Sequence, residues 1–159
     1  LSERTSEELL KQYAQEIDYA LVTFKSYHNA KHKEVLIYHT NVMLCVAQDY
    51  AVVCLECIKE LTERKAVMDS LKKTNKTIVE LSLDQIDHFA GNMLEAKNKA
   101  NESFLIMSSR AFKAMNQAHI IQIQRYSQII HAPLTTIENY GGGSARCMLA
   151  EIFLPRQEK

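Results

Sequence analysis

The chain has 159 residues, 47% of them hydrophobic, enough for one domain with a core of its own. Nineteen basic and nineteen acidic residues cancel to zero formal charge, which argues against a dedicated nucleic-acid binder, whose surface is basic. The densest apolar run, residues 42–58, is broken by Gln48, Asp49 and Glu56, so no membrane-spanning helix is expected.

No signal-peptide pattern opens the chain, and Leu1 is not an initiator residue, so an excised piece of a cytoplasmic protein is expected. Residues 1–90 contain neither glycine nor proline; Gly91 is followed only by Pro133, Gly141-Gly142-Gly143 and Pro155. Those residues are the main punctuators of secondary structure. Their scarcity predicts an all-α fold: an antiparallel bundle of three long helices over residues 1–140. A flexible Gly141–Ser144 tether then leads to a short amphipathic helix within residues 145–159.

In chain order, Thr5 or Ser6 caps the first helix, with Glu7 and Glu8 suiting its dipole. Leu10, Tyr13, Ile17, Ala20, Phe24 and Tyr27 recur at spacings of three and four, a heptad-like seam. A second helix is expected over about residues 34–71, apolar nearly all round through Val42–Val46 and Ala51–Leu55. A strand reading of that run is set aside, because no turn residues bound it at strand length. The third helix runs to about His131 and is stopped by Pro133. Ser82 with Gln85 is an alternative capping box at its start, and Asn98–Asn101 is the preferred place for a break in it.

The tail reads separately. Residues 134–140 are expected to be loop, and Ser144 to cap a helix from Ala145. Met148, Leu149, Ile152 and Phe153 would form one apolar face of that helix. Two turns of helix are unstable alone, so this face must dock. The tether has two readings, a natural loop or an engineered linker to a fused partner peptide; its composition favours the second.

Chemistry-bearing patterns are sparse. Cys54-x-x-Cys57 lacks the second ligand pair of a zinc site and sits in apolar sequence, so it reads as core. His28 with His32, and Asp84 with His88, have i, i+4 spacing but lack the further ligands of a helical metal site, so no metal and no cofactor are expected. Lys72, Lys73 and Lys76 form a small basic knot at a predicted helix hairpin tip, a candidate contact for anionic headgroups. No nucleophile motif or phosphate loop is present. The expectation is therefore a non-catalytic adaptor or scaffold that binds an amphipathic helix in a groove. Met148, Leu149, Ile152 and Phe153 would be the anchors. The alternatives are a BAR-like homodimer on a membrane surface and a helical cytokine.

Overall fold

The computed structural model describes residues 1–30 and 33–151. The fold is mixed α and β, with eight strands in three sheets among the described residues. This corrects the all-α expectation, and with it the helical bundle, the BAR-like hairpin dimer and the cytokine.

The first helix, α1 (Glu7–Glu16), forms as expected, capped by the Ser6 side chain and acidic in its first turn. It stops at Ile17, because Asp18 takes a left-handed backbone conformation (φ 54°). The seam onward to Phe24 and Tyr27 is therefore not helical. Tyr27 instead opens a two-stranded antiparallel ribbon, β1 (Tyr27–Ala30) with β2 (Lys33–Leu36), in which Tyr27 faces Leu36.

Two units of the same plan follow. In the first, β3 (Leu44–Val46) and β4 (Tyr50–Val53) form an antiparallel hairpin. Helix α2 (Leu61–Lys73) then crosses over to β5 (Thr77–Glu80), which lies parallel to β4. In the second, β6 (Leu94–Lys97) and β7 (Ser103–Ser108) pair antiparallel. Helices α4 (Ser109–Ala114) and α5 (Gln117–Gln124) lead to β8 (Gln128–Ala132), parallel to β7. Between the units lies the short α3 (Leu83–Asp87), held by the Ser82–Gln85 capping box. After β8 come α6 (Thr135–Tyr140), where loop was expected, and a 3-10 turn over Ala145–Met148.

The all-round apolar run that reads as a buried helix is this first hairpin. All four residues of β4 are buried, since the strand is central and covered on both faces. The turn is Gln48-Asp49, with no glycine in it, and the lysine thought to lie at a helix tip secures it: Lys76 Nζ donates to the carbonyls of Ala47 and Gln48, each at 2.8 Å. The long third helix breaks up for a related reason. Asn98 Oδ1 accepts from the Ala100 and Glu102 amides, and Asn101 takes φ 64°, so asparagine builds the β6–β7 turn in the expected break region.

One core spans both units, with Tyr50, Val52, Val53, Val79, Leu105 and Ile123 fully buried in it. Polar contacts lock the units together. Glu95 of β6 accepts the Gln48 amide (2.7 Å) and the Ser127 hydroxyl (2.9 Å), and Tyr50 donates to Ser127 at 3.1 Å. No helix among the described residues is long and apolar enough to cross a membrane.

Candidate active site

Residues just before β6 and the glycine-rich loop after α6 converge on one cysteine. The chain leaves α3 through Phe89, whose φ of 63° is costly for so bulky a side chain. Gly91 follows, packed so closely on the 3-10 turn at Thr40–Val42 that a Cβ there would lie 2.3 Å from the Val42 carbonyl oxygen. A lone glycine inside an otherwise helical pattern reads as the close approach of another helix; the neighbour here is a turn.

That approach places Asn92, which is 2% exposed. Its Oδ1 accepts the Arg146 amide at 3.0 Å. Its Nδ2 donates to the Asn41 carbonyl at 3.0 Å and to Cys147 Sγ at 3.3 Å. Asn41 Nδ2 also points at the same sulfur, at 3.8 Å. Two side-chain amides thus point at Sγ as an acceptor and fix its place at the mouth of the loop.

The glycines make room for that sulfur. Gly142 is left-handed (φ 70°), and a Cβ on Gly143 would stand 2.9 Å from Cys147 Cβ and 3.0 Å from Sγ. Tyr38 reaches in to donate to the Gly142 carbonyl at 3.4 Å. The sulfur opens on a cavity of about 200 Å³ whose wall includes His28, Tyr38, Asp87 and Phe89. His28 Nδ1 lies 3.8 Å from Asp87 Oδ1 in that wall. A thiol, an imidazole and a carboxylate therefore share one small cavity.

The other three cysteines are buried. Burial pushes the Cys45 thiol up to about 12. Cys54 and Cys57 hydrogen-bond each other, which lowers the first and, with burial, raises the second. They sit at the end of β4 and in a 3-10 turn rather than within a helix.

The residues singled out by sequence fall elsewhere. Met148 and Leu149 are 53% and 36% exposed and border a small apolar hollow of about 180 Å³ beside Ile106 and Ile130. Met148 closes the 3-10 turn, and Leu149 is its C-cap in extended conformation, so the expected amphipathic helix does not form there. Ile152 and Phe153 lie outside the described residues. Lys72 and Lys73 are exposed at the end of α2, whereas Lys76 is spent on the β3–β4 turn. His88 Nδ1 bonds the Asp84 backbone carbonyl at 2.8 Å, not its carboxylate, and His32 lies outside the described residues. No cluster of three or more metal-ligating side chains occurs among the described residues.

Sequence reasoning missed Cys147, Asn92 and Asn41. One signal was available: Cys147 alone of the four cysteines stands outside the apolar run, three residues after the glycine-rich stretch.

A site of this kind, a thiol presented on a glycine-walled loop of an α+β fold, is the setting of cysteine-based hydrolytic chemistry. The chain belongs to the family described as N,N dimethylarginine dimethylhydrolase, eukaryotic, whose profile matches residues 1–154. Its fold is similar to that of ArgZ, an arginine dihydrolase from the ornithine-ammonia cycle in cyanobacteria, with a TM-score of 0.65 at 17% identity. That match covers 93% of this chain and 21% of ArgZ, so the chain spans about a fifth of that protein's length. A comparison with curated protein sequences gave no match. Membership of a hydrolase family overturns the reading as a non-catalytic adaptor or scaffold, and removes the grounds for a docked partner helix, a homodimer or a membrane surface as its partner.

Proposed function

We propose that this chain carries the nucleophile of a hydrolase that cleaves a C–N bond of a substituted guanidinium, with N,N-dimethylarginine the first substrate to test. The observation that carries the reading is Cys147: exposed, held by Asn92 and Asn41, and open to a cavity that also contains His28 and Asp87. The family's description names the substrate class.

The chemistry follows from those groups. Cys147 Sγ, as thiolate, adds to the central guanidinium carbon and forms a C–S bond. The C–N bond to the dimethylamino nitrogen then breaks, and dimethylamine leaves with a proton from the protein. Water adds to the S-bound carbon, the C–S bond breaks, and the thiolate returns as the ureido product departs. The sum is one water consumed and one dimethylammonium released, with no redox change.

The proton is carried by an imidazole. Two are candidates: His28 lines the cavity beside Asp87, and His39 precedes the turn that carries Asn41. Asp87 supplies a carboxylate where a guanidinium has to be held. A thiol nucleophile works only while reduced, which favours a reducing compartment such as the cytoplasm.

The test is release of dimethylamine and of a ureido product from N,N-dimethylarginine, with unsubstituted arginine run in parallel. Cys147→Ser is expected to lower the rate by about 10³-fold or more. His28→Ala and His39→Ala separate the two bases, because loss of the working one flattens the pH profile of kcat. Turnover that survives Cys147→Ser undiminished sinks the reading.

A further inference from the structure

Glu138 is a carboxylate that the chemistry above does not use, yet it is 5% exposed in the middle of α6. A buried carboxylate is costly unless it is paired and hydrogen-bonded. Its Oε1 accepts the Ser144 hydroxyl at 2.7 Å. Its Oε2 is buried and makes no hydrogen bond among the described residues, with Arg110 Nε 3.6 Å away as counter-charge. Arg110 is fixed in turn by Asn139 Oδ1, which accepts from it at 3.2 Å.

Ser144 is wholly buried, and it faces two ways. Its hydroxyl is held by Glu138, and its carbonyl accepts the Cys147 amide at 3.1 Å. Between Glu138 and Ser144 lie three glycines, one of them left-handed, which have little conformational preference of their own. Glu138–Ser144 is the side-chain hydrogen bond that ties the far end of this loop back to its helix. The loop's end sets the position of Sγ against the Asn92 and Asn41 amides.

We propose that Glu138 is a positioning residue for Cys147, acting through Ser144. The inference rests on the reading of Cys147 as the nucleophile, and deepens it. Glu138 itself does not touch the cavity's reacting atoms. Arg110 supplies the charge that lets the carboxylate stay buried, and the carboxylate supplies the acceptor that Ser144 needs.

The experiment compares Ser144→Ala, Glu138→Ala, the double variant and Glu138→Gln in the full chain. Two quantities are read: kcat and KM on N,N-dimethylarginine, and the rate and pH profile of Cys147 capture by iodoacetamide. Ser144→Ala and Glu138→Ala are each expected to lower kcat by about 10²-fold with KM little changed, the scale of a small misplacement of a reacting group. Both should shift the capture profile. The double variant should cost no more than either single one. Glu138→Gln keeps an oxygen that accepts from Ser144 and should restore most of kcat.

Should Glu138→Ala fail to fold, Ser144→Ala removes one hydroxyl only and decides the matter alone. Wild-type kcat and a wild-type capture profile in Ser144→Ala overturn the proposal. If Cys147→Ser instead proves fully active, the nucleophile reading fails, and the capture profile still reports whether Glu138 and Ser144 position the thiol.

Discussion

At the scale of single residues, the site depends on what is absent as much as on what is present. Gly143 has no side chain where a Cβ would press on Cys147 at 2.9 Å from its Cβ and 3.0 Å from Sγ. Both neighbouring atoms belong to Cys147, so the loop relieves the contact by moving the thiol off Asn92 and Asn41. Gly143→Ala is therefore expected to cut turnover by about 10²-fold, read by an activity assay with a melt alongside to check that the fold is kept. Wild-type turnover would show that the sulfur tolerates displacement. Asn92 illustrates the opposite case. It was invisible as one of many asparagines, and it matters because burial at 2% forces every polar atom on it to find a partner, and one of those partners is the sulfur.

At the scale of elements, the turns decide the fold. Asp18, Asn75 and Asn101 all take positive φ, doing for this chain what glycine does elsewhere. Asn101 closes the β6–β7 hairpin, its amide donating to the Asn98 carbonyl at 3.1 Å. Asn101→Ala places a residue with no such tolerance at φ 64° and is expected to cost about 1–2 kcal/mol; Asn101→Gly should be neutral or slightly stabilising. Urea denaturation of the three proteins checks the order. Equal stability of the alanine and glycine variants would mean that the hairpin does not need the left-handed position. The same element accounts for the long helix that the sequence pattern predicts over this region: spacings of seven, four and three, from Met93 to Ala100, Phe104 and Met107, arise across a hairpin and its turn as readily as along a helix.

At the scale of the whole molecule, the core carries a consequence for alkaline conditions. Cys45 is neutral when protonated, and burial raises its pKa from 9.0 to about 12 in the fold. Above the ordinary thiol range the unfolded chain loses this proton while the folded chain keeps it, so the unfolded state gains. The contribution to stability is complete below about pH 8.5 and is lost as pH rises through the folded value. Tyr50 and Cys57, both raised with burial as a cause, add in the same direction. Stability by denaturant titration is expected to decline through pH 9–12, less steeply in Cys45→Ala. An unchanged alkaline slope in that variant would mean that Cys45 titrates alike in both states.

Local chemistry was legible in the sequence wherever a short-range rule governs it. The Ser6 start of α1 with its acidic first turn and the Ser82–Gln85 capping box each depend on a few neighbouring residues, and each is present. The interruption of the apolar run 42–58 by Gln48, Asp49 and Glu56 likewise argues against a membrane-spanning helix, and none occurs among the described residues. What the sequence alone left open is which partner each segment finds. Periodicity records which residues want burial, not whether a helix or a neighbouring strand covers them, so the two-sided burial of β4 looked helical. Cys147, Asn92, Asn41 and Glu138 are separated by up to 106 residues, and only the packing of the second unit against the first brings them within hydrogen-bonding distance of one another or of a shared loop. The site is a product of long-range contact, and long-range contact is what a linear pattern does not encode.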